Sequence, residues 1–149
     1  MKIALGSDHG GFELKNEIIK HLKEKGHEIK DFGPMTNDSC DYPDYALPVA
    51  EAVANKEFEI GILVCGTGIG ISISANKVPG VRAALCSDTF SAHATRQHNN
   101  ANILAMGQRV VGPGLALDIV DTFINSEFEG GRHQKRLDKI SKIEEKYNK

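Results

Sequence analysis

Cys65 closes a short apolar run, residues 60–64, and is followed at once by Gly66, Thr67, Gly68, Ile69 and Gly70. Glycines at that spacing leave successive backbone N–H groups bare. Where such a turn feeds a helix, the amides and the helix start together make an anion-binding nest. Helix N-termini also favour the thiolate over the thiol, so a cysteine beside the nest is a candidate nucleophile or proton-transfer base. The spacing is not the G-x-G-x-x-G of a dinucleotide fingerprint, and no G-K-[ST] follows. A thiol phosphatase loop would be closed by an arginine, whereas Ile71 and Ser72 stand here. The bland reading of the same residues is a buried cysteine ahead of an ordinary strand-to-helix turn.

Three other groups carry polar chemistry. Asp8 and His9 precede Gly10 and Gly11 at the end of a first apolar run; they read as a functional pair, or as a helix-capping aspartate beside an exposed histidine. The run Arg96-Gln97-His98-Asn99-Asn100 ends a helical segment, which the strand–helix alternation is expected to place on the ligand-facing edge. There His98 is a candidate acid/base group, or else a surface histidine at a helix C-terminus. Arg132 and Arg136 lie four apart, hence on one helical face. Two guanidinium forks at that spacing suit a phosphate monoester, although a solvated basic face has the same signature. Arg109 is a further anion-binding candidate. No metal-ligand cluster is legible and no cofactor is implied.

The elements that position these groups alternate strand and helix. Strands are expected at 2–6, 27–32, 60–64, 81–86 and 102–106. Leu14, Ile18 and Leu22 mark a helix over 12–25 with Gly26 as its cap. Further helices start at Pro43, after the Cys65 turn, at Thr89, at Pro113 and at Arg132. The pattern predicts an α/β fold, a three-layer α/β/α Rossmann-like domain with a five-stranded parallel sheet. Residues 1–149 read as one domain. Its final helix, from about 132, carries a narrow stripe of Leu137, Ile140 and Ile143, fit to pack on its own domain or on a neighbouring subunit. Ligands in such folds bind beyond the carboxyl ends of the strands, where strand order reverses. If the first and third strands are neighbours, Asp8 and His9 face Cys65 across one crevice.

Composition narrows the classes. With 149 residues, 40% hydrophobic and 26% charged, the chain is an ordinary globular domain. A net charge of −2 gives no reason to expect nucleic acid or an anionic membrane as partner. Cys40, Cys65 and Cys86 are widely spaced, so neither a disulfide framework nor a zinc site is indicated. Met1 runs straight into a strand pattern without a signal peptide or long apolar segment, and a cytoplasmic protein is expected.

Five motifs in order resemble one family: Gly6-Ser7-Asp8-His9-Gly10-Gly11, Asp41-Tyr42-Pro43, Cys65-Gly66-Thr67-Gly68-Ile69-Gly70-Ile71-Ser72, Arg96-Gln97-His98-Asn99 and Glu129-Gly130-Gly131-Arg132-His133. The set resembles type B ribose-5-phosphate isomerase and spans the chain from its first strand to its last helix. The resemblance implies an aldose–ketose isomerase of the pentose phosphate pathway that needs no metal or organic cofactor. It further implies a homodimer or tetramer with the active site at a subunit interface. Cys65 then matches the base that moves a proton between C2 and C1; some members use a glutamate elsewhere, but this sequence has the cysteine. His98 matches the group that opens the furanose ring. Gly66, Gly68, Ile69 and Gly70, with Thr67 beside the base, match the loop that holds the enediolate. Asp8, His9 and Asn99 match sugar- and phosphate-contacting positions, and Tyr42 a position near the sugar. Arg109, Arg132 and Arg136 match the arginines around the phosphate, some of them from a neighbouring subunit. Two alternatives stay open: the same chemistry on a six-carbon sugar phosphate such as allose 6-phosphate or galactose 6-phosphate, and a non-catalytic sugar-phosphate sensor.

Overall fold

A computed structural model describes residues 1–148. The five strands are β1 (Lys2–Ser7), β2 (Glu28–Asp31), β3 (Ile60–Cys65), β4 (Ala83–Leu85) and β5 (Ile103–Gly107). They form one sheet in the order β2-β1-β3-β5-β4, parallel throughout. The helices are α1 (Phe12–Glu24), α2 (Tyr42–Ala54), α3 (Ile69–Ala75), α4 (Thr89–Asn99), α5 (Pro113–Ile124) and α6 (Arg132–Tyr147). The expected three-layer α/β/α architecture is therefore present.

Burial on both faces explains why β1, β3 and β5 read as unbroken apolar runs. One core places Ile3, Leu5, Ile62 and Leu104 of the sheet against Leu14, Ile18 and Leu22 of α1 and Ile119 and Phe123 of α5. The other places Ala4, Leu63 and Ala105 against Val49 and Val53 of α2 and Ile71 of α3. The chain leaves β1 along α1 to reach the outer strand β2. It then returns across β1 on the opposite face, along α2, to β3. That reversal opens a crevice between the loops after β1 and β3, where an open α/β sheet binds its ligand.

Two strands are shorter than expected. β4 spans Ala83–Leu85 rather than 81–86, because Val81 N–H turns back to the carbonyl of Val78. Cys86 N–H still donates to Ala105 O at 3.0 Å, one residue past the strand. β2 likewise narrows to Glu28–Asp31, although Phe32 N–H continues the ladder to Leu5 O at 2.8 Å. The last helix, α6, packs on its own chain through buried His133 and Leu137, and Gly80 N–H donates to Glu144 Oε1 at 3.0 Å. Ile140 and Ile143 remain exposed.

Candidate active site

Cys65 ends β3 with its thiol buried, and the amide of Gly68 donates to Sγ at 3.0 Å. The turn achieves this because Gly68 has φ +81°, and a Cβ there would lie 2.6 Å from Leu85 Cδ1 and 2.7 Å from Met106 C. Only glycine combines that dihedral with that space. Ile69 N–H donates to Thr67 Oγ1 at 3.2 Å. Two of the five nest amides are thus engaged inside the turn. Among the described residues, the N–H groups of Gly66, Thr67 and Gly70 have no protein acceptor and are available to an incoming oxyanion.

The loop after β1 closes on this turn. Gly10 sits so near Gly66 that a Cβ on it would lie 3.1 Å from Gly66 N. Asp8 N–H donates to Val64 O at 3.2 Å, and its carboxylate accepts from Gly10 N–H at 2.8 Å. The capping reading of Asp8 is therefore correct for one oxygen, Oδ1. Cys40 N–H donates to Nδ1 of His9 at 3.2 Å, so Nδ1 is an acceptor and the ring proton sits on Nε2 in the neutral imidazole. Arg109 lies over Gly66: a Cβ there would meet its Cδ at 3.6 Å, and Arg109 N–H donates to Gly66 O at 3.0 Å. The ring of half-exposed Tyr42 packs against Gly70, where a Cβ would stand 2.5 Å from Cζ. Asp8, His9, Tyr42, Thr67, Arg109 and the nest surround Cys65 at one edge of the sheet.

His98 and Asn99 are not there, which corrects the expectation that their helix end faces the ligand edge. A crossover helix runs antiparallel to its strands, so the C-terminus of α4 lies where β5 begins, while Cys65 pairs with Gly107 where β5 ends. Arg82, just ahead of β4, donates through Nε to the carbonyl of Asn99 at 2.9 Å. Roughly 15 Å of strand separates the two edges.

A second polar cluster forms at this opposite edge. Glu129 N–H donates to Gln97 O at 3.1 Å and ties the Gly130-Gly131 turn to the end of α4. His98 and His133 stack with ring centroids 4.5 Å apart. Glu129 Oε1 stands 3.6 Å from Nε2 of each ring. Desolvation, then the Arg132 charge and His98, hold His133 below the ordinary imidazole value despite the opposing pull of Glu129. Arg132 and Arg136 begin the same helix and are solvent-exposed. Sequence reading left Glu129 and His133 out of the candidate site. Their i,i+4 spacing was visible across the Gly130-Gly131 break, but the third member, His98, joins them only through the fold. The donor atoms of the three groups all lie within 4.8 Å of one another, a grouping that no sequence spacing displays.

A parallel five-stranded α/β sheet with a thiol, bare amides and an arginine at its switch point defines a Rossmann-like protein shaped to hold a small anionic ligand. The chain belongs to the Ribose/Galactose Isomerase family, whose model matches residues 3–140. Ribose-5-phosphate isomerase B of Escherichia coli is 54% identical over 99% of this chain and 99% of that protein. D-erythrulose-4-phosphate isomerase of Pectobacterium atrosepticum is 43% identical over 97% of this chain and 95% of its own. The solved ribose-5-phosphate isomerase B of Clostridium thermocellum is 59% identical with a TM-score of 0.98, covering 99% of this chain and 100% of its own. Among the described residues, no helix is long and apolar enough to cross a membrane.

Proposed function

We propose that the protein interconverts D-ribose 5-phosphate and D-ribulose 5-phosphate, through ring opening and an enediolate, at a site shared between two copies of the chain. The observation that carries this reading is the partition of the chemistry. The thiol, the amide nest, Asp8, His9, Tyr42 and Arg109 occupy one edge of the sheet, and His98, Asn99, Arg132 and Arg136 occupy the other. One chain therefore holds two half-sites that do not meet within it, and a closed homodimer with isologous contacts would complete both. The exposed apolar side chains Ile69, Ile73 and Leu85, on or against the nest turn, suit such a contact.

In this reading, His98 of one copy protonates the furanose ring oxygen as its bond to C1 breaks, while the anomeric hydroxyl gives up its proton to solvent and becomes the open-chain aldehyde. The Cys65 thiolate of the other then takes the C2 proton and delivers it to C1. Negative charge develops on the oxygens at C1 and C2, where the free amides of Gly66, Thr67 and Gly70 are preorganised to receive it. The Thr67 hydroxyl supplies a further polar group beside the base. Arg132 and Arg136, with Arg109 and His9, hold the phosphate. That remote binding orients the reacting carbons without taking part in the chemistry. Protein groups thus supply every role, and the reaction draws on no metal or organic cofactor. Free Cys40, Cys65 and Cys86 suit the reducing cytoplasm as the compartment, and the pentose phosphate pathway as the setting.

The test is turnover of ribose 5-phosphate by wild type and Cys65→Ala, with chelator present throughout. Rapid isomerisation that is lost in the variant supports the reading. Binding without turnover in both proteins would instead indicate a sugar-phosphate sensor. The Pectobacterium relative acts, by its name, on a four-carbon phosphate, so this family does not keep one chain length. Specificity constants for five- and six-carbon substrates side by side decide that second reading.

A further inference from the structure

We propose that His98, Glu129 and His133 form an inhibitory binding site for a borderline transition-metal ion, Zn²⁺ above all. Two imidazoles and one carboxylate are a ligand set that zinc takes at about 2.0–2.2 Å from each donor. Tetrahedral geometry at that bond length puts neighbouring donor atoms roughly 3.4 Å apart. Both nitrogen–oxygen separations here are 3.6 Å, and all three donors lie within 4.8 Å of one another. Closing the set requires the stacked rings to splay, and His98, with 44% of its side chain exposed, has the freedom to turn. His133 is held by the packing of α6, its side chain only 7% exposed.

Three protein ligands leave the fourth position to water. Hard cations such as Mg²⁺ prefer all-oxygen sets and would not compete. The positive charges of Arg132 and Arg136 nearby limit affinity, and the Glu129 carboxylate offsets part of that repulsion. The inhibitory consequence rests on the isomerase reading. A metal held by the His98 imidazole occupies the lone pair that must exchange a proton with the sugar ring. Metal binding itself is independent of that reading.

The experiment is calorimetric titration of the wild-type protein with Zn²⁺, with Co²⁺ as a visible-absorption probe of coordination. Alongside it, isomerase activity is measured with and without Zn²⁺. Wild type should bind one Zn²⁺ per chain through this site. Loss of an outer partner already costs metal sites roughly 10–100-fold, so Glu129→Gln should weaken binding by at least about tenfold. His98→Asn should do the same. Measured against its own metal-free rate, Glu129→Gln should resist Zn²⁺ at concentrations that inhibit wild type, with chelator restoring wild-type activity. Unchanged Zn²⁺ affinity in Glu129→Gln and His98→Asn, or affinity lost in Cys65→Ala instead, would overturn the proposal. A wild type inactive without Zn²⁺ that still binds the ion through these residues would sink the isomerase reading and leave the metal site standing.

Discussion

The amide of Gly68 donates to the thiol sulfur of Cys65 across 3.0 Å. That contact joins the end of β3 to the turn that follows, and it exists only because residue 68 has a positive φ. Gly68→Ala should therefore impair both stability and chemistry. The dihedral costs about 1–2 kcal/mol and crowding against Met106 and Leu85 about 1–3 kcal/mol more. Gly26→Ala is the control: φ is +86° there too, but nothing lies within 4 Å of a Cβ, so only the dihedral term of about 1–2 kcal/mol should appear. Urea melts of both variants check the difference. Equal losses would mean that the close packing at Gly68 is unimportant.

On the proposed mechanism, removing the base and removing the phosphate ligands should separate kinetically. Cys65→Ala should lower kcat by about 100-fold or more while KM changes little. Arg132→Ala or Arg136→Ala should raise KM by about tenfold or more, as expected for loss of a charge-assisted hydrogen bond. Steady-state kinetics of the three variants test this division. Parallel changes in both parameters throughout would contradict it.

A site shared between two copies, as proposed, makes a prediction that no single-chain site can meet. Cys65→Ala and His98→Asn should each be nearly inactive alone. Mixed in equal amounts and allowed to exchange subunits, they should regain up to about a quarter of wild-type activity, because half the dimers are hybrids with one intact site of two. No recovery, with exchange verified by native mass spectrometry, would place the whole site within one chain.

Lys15 is fully buried, and its ammonium is held by Asp31 at 2.8 and 3.1 Å and by Pro34 O at 2.7 Å. Asp31→Ala strands that charge and also removes the acceptor for Gly33 N–H. It should cost about 3–5 kcal/mol. Lys15→Met leaves Asp31 with access to water and should cost distinctly less. Denaturant melts that rank the two the other way would show that the pair is not held for charge compensation.

Partial burial raises the carboxyl pKa of Asp121, but hydrogen bonds from His21 at 2.8 Å and Lys25 at 3.0 Å outweigh it and leave the net value low. A carboxyl depressed in the folded state stabilises above its unfolded pKa of about 3.9 and loses that contribution as pH falls through the folded value. Asp121→Asn should therefore cost about 1 kcal/mol or less near neutral pH, and the gap to wild type should shrink as pH falls below about 4. Thermal melts across that range check the sign.

Cys86 lies one residue past β4. Burial, with a smaller contribution from Asp88, pushes its thiol up to about 11, so it stays protonated near neutral pH. The sequence contained no signal for that shift, because it depends on what packs over the sulfur.

Periodicity and motif order were enough to read the strand–helix alternation, the Cys65 turn, the pairing of Asp8 and His9 with it, and the family. These features depend on residues near one another in the chain, where side-chain spacing and glycine conformations act directly. The shortened β4 was not legible, since an edge strand ends where its one partner stops offering hydrogen bonds. Which amides remain free was not legible either: Gly68 and Ile69 spend theirs on a sulfur and a hydroxyl whose positions only the folded turn defines. The placement of His98 is the clearest case. Local sequence determined that it ends a helix, and its motif marked it as functional. That the helix returns it to the far edge of the sheet, beside His133 and Glu129 and away from Cys65, was decided by tertiary structure alone. A parallel sheet forces every crossover helix to run back against its strands, so groups at strand ends and groups at helix ends cannot share an edge within one chain.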